Sequence, residues 1–140
     1  MRFLDTNIFL RALVEPVTAA DQAKAEASAA LFRRLAAGEE TATTAEGMIT
    51  EIAYVLHSRA HYGLTPAEIG ARVRPILQLR GLKVAHKRTY LRALELWEAR
   101  PSLDFEDVLA VAHIQRLGLN EITSYDSGFD RLPGIVRVEL

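Results

Sequence analysis

The sequence predicts an α/β fold built around a mostly parallel sheet. Three observations carry this. Short β-branched or apolar runs alternate with longer helical stretches along the whole chain. Helical stretches stop at glycines such as Gly38, Gly63 and Gly118, or start on a cap such as Thr65-Pro66. No repeat, linker or composition shift divides the 140 residues, so one domain spanning 1–140 is expected. A domain of that size buries roughly two-thirds of its unfolded surface.

In chain order, residues 2–5 read as a first strand and 7–14 as a helical turn or two. Thr18 or Asp21 caps a long Ala-rich helix that runs to Ala37 and stops at Gly38, since alanine favours helix and permits close packing. Residues 41–44 (TATT) are β-branched and short, a second strand. A helix over 45–61 follows, ended by Gly63. Thr65 at the N-cap and Pro66 at the first helical position open the next, which stops before Gly81. Residues 82–85 (LKVA) supply a third strand. A helix over 86–100 closes at Arg100-Pro101, because the residue before a proline avoids helical geometry. Another helix lies within 102–117, ended by Gly118. Residues 121–124 (EITS) and 135–138 (IVRV) are the fourth and fifth strands.

The composition, 49% apolar and 25% charged, is that of an ordinary globular protein. No apolar run approaches the length of about 18 residues that a membrane span needs. Asp5 falls where the apolar core of a secretory signal would lie, and there is no Cys, which excludes disulfides and thiolate metal sites. The expected compartment is the cytoplasm. Net charge is only −1, but it is unevenly spread. Between Ile69 and Leu94 there is no Asp or Glu, while Arg72, Arg74, Arg80, Lys83, Lys87, Arg88 and Arg92 all fall there, with His86. Such a stretch is either a solvated helix face or a contact for an anionic backbone, and Arg suits phosphate especially well.

Four carboxylates stand out. In open parallel sheets the site lies at the C-terminal ends of the strands. Asp5 ends the first strand and Asp126 follows the fourth, so both are expected at one sheet edge. Glu51 lies on the flank of the apolar stripe of MITEIAYVL, between Met48 and Val55. Asp107 shares a helix face with Val111 and Ile114, which should point inward. Each has an alternative role when taken singly. Asp5 can cap the following helix, Glu51 can sit in solvent, Asp126 can make a turn, and Asp104 with Glu106 can cap and charge a helix start. Only an inward Asp107 is poorly explained that way. Carboxylates brought together repel and raise each other's pKa unless a cation intervenes. All-oxygen ligation without Cys or a His motif suits Mg²⁺ or Mn²⁺. His57, His61, His86 and His113 are not spaced as a zinc site, and His113 reads as a packing or surface residue. Trp97 reads as core. Asp130 and Asp104 are further acids able to stand behind the four. A phosphoryl-accepting domain of the receiver or haloacid dehalogenase type would need a second Asp close to Asp5 or a late Lys. Asn7 occupies the nearby position and no Lys follows Lys87.

The segments FLDTNIFLRAL, TEIAYVL, LDFEDVLAVAHIQRLG and TSYDSGFDRL, in this order, resemble the PIN-domain nucleases, most closely the VapC-type toxins of bacterial toxin–antitoxin pairs. The resemblance covers essentially the whole chain. It implies a PIN-like three-layer sandwich and a metal-dependent endoribonuclease. It makes Asp5, Glu51, Asp107 and Asp126 the catalytic acids, with Asp5, Asp107 and Asp126 at a Mg²⁺ or Mn²⁺ ion. Asn7, Ser124 and Asp104 would stand behind them and orient them. One departure is Asp107-Val108-Leu109, where relatives often have Asp-Ala-Leu, a change expected to affect packing more than chemistry. The basic residues Arg72, Arg74, Lys87, Arg88 and Arg92 would then hold RNA. The same resemblance implies a homodimer and a cognate VapB-like antitoxin, whose docking is expected near helices 7–14 and 45–61. A DNA-directed nuclease of the same fold and a non-catalytic interaction module stay open as alternatives.

Overall fold

The computed structural model describes residues 1–140 and divides them into two compact units, Met1–Ala85 and His86–Leu140. In the first unit, β1 (Arg2–Phe3) leads into α1 (Thr6–Leu13) and α2 (Ala19–Ala37). β2 (Ala42–Thr43), α3 (Glu46–His57) and α4 (Pro66–Leu77) follow. β1 and β2 are parallel, with Arg2 opposite Ala42 and Phe3 opposite Thr43. The Leu4 N–H extends the ladder to the Thr43 carbonyl at 2.8 Å. On the other side of β2, Leu82 forms a single parallel bridge to Ala42.

Local chemistry explains the helix boundaries. The Thr18 hydroxyl accepts from the Asp21 N–H at 3.1 Å and starts α2. Gly38, at φ 73°, ends it in the left-handed conformation that glycine adopts without steric cost. A reciprocal box between Thr65 and Glu68, with Pro66 at the first position, starts α4. The core of this unit includes Leu4, Phe9, Leu35, Ile49, Ile52, Leu56, Ile69 and Leu82, all buried. The rings of Phe9 and Phe32 lie 5.6 Å apart.

The second unit contains α5 (Lys87–Ala99), α6 (Phe105–Arg116), β3 (Glu121–Thr123) and β4 (Val136–Val138). β3 and β4 are parallel, Glu121 opposite Val136 and Thr123 opposite Val138. Between them, Ser127–Arg131 forms a 3₁₀ turn. Trp97 is core, as expected. Its indole N–H donates to the Leu103 carbonyl at 2.7 Å, and its ring packs 5.3 Å from that of Phe105. His113 packs edge-on to Tyr90 at 6.4 Å.

The α/β class and the parallel pairing agree with expectation, but two elements differ. The third strand shrinks to Leu82. Gly81 and Lys83 bond Ala42 on either side of that bridge, and the chain then turns away into His86, whose φ is 58°. The structure therefore has four strands and one bridge where five strands were expected. The helix expected over 45–61 ends at His57. Ser58 leaves helical geometry, and the Gly63 N–H folds back to the Ser58 carbonyl at 2.9 Å while Leu64 bonds the Leu56 carbonyl. Gly63 is thus the return point of a turn and not a helix stop.

Gly81 has no room for a side chain. A Cβ there would lie 2.3 Å from the Glu40 carbonyl oxygen and 2.7 Å from that of Leu35. Gly47, inside α3, would meet nothing within 4 Å. Urea denaturation should therefore show Gly81→Ala losing about 3 kcal/mol. Gly47→Ala should gain about 0.5 kcal/mol from helix propensity.

Candidate functional site

In the first unit, the end of β1 is anchored by a buried bond. The Thr44 hydroxyl donates to the Leu4 carbonyl at 2.8 Å. That places Asp5 at the N-cap of α1, where its carboxylate accepts from the Asn7 N–H at 3.2 Å. Asp5 and Asn7 are exposed. The capping role available to Asp5 is therefore filled, and an N-cap carboxylate keeps further lone pairs for another partner.

Thr6 was not singled out in the sequence as a site residue, yet it connects two of the expected segments. Its side chain is buried, at 3% exposure, and its hydroxyl donates to the Glu51 carboxylate at 2.9 Å. Glu51 itself is exposed on α3. The signal was a hydroxyl directly after Asp5 at the first helical position. A buried hydroxyl needs a partner, and only the tertiary structure shows that the partner is Glu51.

In the second unit, Asp107 stands in the first turn of α6, half-buried, with Val111 and Ile114 of the same face buried behind it. Burial pushes the Asp107 carboxyl above the usual carboxylate range, and the negative charges of Asp126 and Asp104 push it further. Asp104 is the N-cap residue of α6 by position, but its side chain makes no capping bond. The alternative role of Asp104 as a capping side chain is therefore not filled, although it stands at the N-cap position. The carboxylate is left beside Asp107.

Asp126 is held from both sides. Its backbone N–H donates to the Ser124 hydroxyl at 3.0 Å, and its carboxylate accepts from the Gly128 N–H at 2.8 Å. Ser124 thus fixes the backbone of Asp126 and not its carboxylate. A Cβ at Gly128 would sit 3.0 Å from that carboxylate, so glycine lets the turn close. Asp130, a possible further acid, is committed elsewhere. Both its oxygens pair with Arg137, at 2.9 and 3.1 Å, and this holds its carboxyl below the ordinary range. Arg137 also pairs with Glu139.

Nowhere are three or more His, Asp or Glu side chains gathered as a preformed metal cage. The donor chemistry nevertheless fits a hard cation. Asp107, Asp104 and Asp126 are oxygen donors, and a divalent ion would relieve the repulsion that the last two exert on Asp107.

The basic residues separate into different roles. Arg72 donates to the Leu13 carbonyl at 2.9 Å and caps the end of α1. Arg92 bonds Gln115 and pairs with Glu95 at 3.0 Å, so part of its charge is engaged within the chain. Arg88 is exposed on α5, Lys87 is half-buried on the same helix and Arg74 half-buried on α4. Alongside α1, a cavity of about 300 Å³ is lined by Asn7, Ile8, Arg11 and Ser28, among others. Arg11 there pairs with Asp21.

No helix is long and apolar enough to cross a membrane. None of the curated proteins compared with the chain matches it. The model of the PIN domain family matches residues 2–135, a stretch that includes all four expected acids. PIN domains are in general metal-dependent nucleases. With nearly its whole length matched, the chain belongs to the PIN domain family.

Proposed function

We propose that this protein is a Mg²⁺- or Mn²⁺-dependent endoribonuclease and the toxin of a VapBC-type pair, a cytoplasmic homodimer silenced by a cognate VapB-like antitoxin. The observation that carries the nuclease reading is Asp107, held half-buried on the inward face of α6 in front of Val111 and Ile114, with Asp104 one turn before it at the N-cap position. Family membership over residues 2–135 supports it, as do the four motifs in VapC order.

In this reading Asp5, Asp107 and Asp126 hold the cation and Glu51 completes the catalytic set. When bound, a divalent ion supplies Lewis acidity toward water and a phosphoryl oxygen. The chain's own groups do the rest. Thr6 holds the Glu51 carboxylate in one rotamer, so it can orient an attacking water. Ser124 and Gly128 fix Asp126, Asn7 fixes Asp5, and Asp104 adds negative charge that favours cation binding. Arg88, with Arg74, Lys87, Arg92 and Arg72, offsets the repulsion between the acids and the RNA backbone.

Mn²⁺ or Mg²⁺ raises the melting temperature of the wild type, and Asp107→Asn abolishes that rise. Without metal, Asp107→Asn itself melts roughly 2–4 °C higher, because the carboxylate it removes is one whose ionisation the fold opposes. The sign follows from linkage. The folded chain binds this proton more tightly than the unfolded chain, so the stability due to Asp107 is present in acid and lost as pH rises through its raised pKa. Calorimetry with and without metal checks both; a flat metal titration in both proteins would leave only a non-catalytic module.

On defined RNAs with Mg²⁺, Asp107→Asn stops cleavage, while Thr6→Val and Ser124→Ala lower kcat by about 10–100-fold. Cutting of single-stranded DNA at the same rate would replace RNA by DNA as the target. Arg88→Glu weakens RNA binding and reduces the salt slope by about 0.7 for each phosphate no longer neutralised, leaving the metal-induced melting shift intact. Expressed in a bacterial cell, the wild type arrests growth and Asp107→Asn does not; indifference of the cell to both would sink the toxin role alone.

A further inference from the structure

Ten aromatic side chains occur in the chain, and their burial is uneven. Phe9, Phe32, Tyr90, Trp97, Phe105 and Phe129 are core residues. Phe3, Tyr54, Tyr62 and Tyr125 are exposed, Tyr54 at 63% and Tyr125 at 71%. A lone exposed ring is ordinary. The placement of these is not random along the chain. Tyr54 lies on α3 one helical turn after Glu51, and residues three apart on a helix share a face. Tyr125 lies between Ser124 and Asp126, in the segment whose backbone is pinned by the Asp126-to-Ser124 bond. Phe3 precedes Asp5 by two positions.

Neither Tyr54 nor Tyr125 has a side-chain hydrogen bond or a ring contact within the chain, in contrast to Tyr90, which packs on His113. Both rest on well-anchored backbone. Tyr54 is inside a helix whose Ile52, Ala53 and Leu56 are buried, and Tyr125 follows a strand paired to β4. A rigidly mounted, exposed ring loses little entropy when a flat partner stacks on it. Every nucleobase offers such a partner, and base–aromatic stacking is sequence-tolerant but sensitive to ring identity.

We infer that Tyr54 and Tyr125 are positioning residues that each stack on an unpaired base of a bound RNA, Tyr54 beside Glu51 in the first unit and Tyr125 beside Asp126 in the second. This rests on the nuclease reading above and adds to it the residues that select the flanking nucleotides. Stacking holds a base, and therefore its neighbouring phosphate, at a set distance from the adjoining acid. Arg and Lys contacts to the backbone cannot do this, because they hold every nucleotide alike.

The test uses the full chain and a short unstructured single-stranded RNA in EDTA, so that binding is read without cleavage. Tyr54→Leu and Tyr125→Leu should each weaken binding about tenfold, with Tyr54→Phe and Tyr125→Phe within about twofold of wild type. Replacing the stacked nucleotide by an abasic one should remove the difference between Tyr and Leu. With Mg²⁺, the Leu variants should raise KM more than they lower kcat and should shift the distribution of cut sites, which a merely structural role would not do. Both residues are exposed, so circular dichroism melts should stay unchanged. Equal RNA affinity and an unchanged cut pattern in both Leu variants, from a wild type that cleaves, would overturn this inference and leave the nuclease standing. A wild type that cuts no RNA yet binds it through these two rings would overturn the nuclease and leave the stacking.

Discussion

Asp107 is kept at the start of α6 against the repulsion of Asp104 and Asp126, and what holds it there is apolar packing. Val108, Val111, Ala112 and Ile114 are buried on the same helix, and rotating α6 to carry Asp107 into solvent would expose them. Burying side chains of this size is worth about 1.5–3 kcal/mol each, more than the crowding of one half-buried carboxylate opposes. The indole bond from Trp97 to the Leu103 carbonyl then fixes the segment that delivers Asp104. A hydrophobic face thus enforces an electrostatically unfavourable arrangement. Such local tension marks a candidate functional site.

The first unit solves a different problem, also by close packing. Ala42 is fully buried between Arg2–Phe3 on one side and Leu82 on the other, and Gly81 lies against the backbone of Leu35 and Glu40. Small residues here let three chain segments approach closely enough to hydrogen bond. The Thr44 hydroxyl on the Leu4 carbonyl secures the last residue before Asp5. The Thr6 hydroxyl ties α1 to α3 through Glu51. Each acid therefore sits on an element whose position is decided by buried neighbours, while the carboxylate itself stays accessible.

The cationic residues show how far a charge count misleads. The run from Ile69 to Leu94 contains no acid, yet Arg72 caps a helix and Arg92 answers Glu95 from outside that run. At the other end of the chain, Arg137 is enclosed by Asp130 and Glu139, which raises its already high pKa. Ion pairs at such exposed positions contribute little to stability, but they decide which guanidinium groups are available to a phosphate. In α5 both Arg88 and Arg92 are exposed, but Arg92 is engaged by Glu95 and Gln115, which leaves Arg88 for a phosphate.

Periodicity, caps and turn residues determined the α/β class, the order of elements and most helix ends, because Thr18, Gly38, Thr65-Pro66 and Gly118 act within a few residues of where they stand. The same local logic located Asp5 at a strand end and Asp107 on an inward face. Tertiary structure decided the rest. Whether residues 82–85 made a strand depended on a distant partner, and Ala42 offered pairing to Leu82 alone. Whether α3 ran past His57 depended on Leu64 folding back to Leu56. Whether Asp104 capped its helix, whether Asp130 was free and what Thr6 held were all settled by residues far away or across a turn. Short-range conformational preference is written in consecutive residues, whereas the partner of a polar side chain is set by which segments packing brings beside it, and no window of sequence contains that.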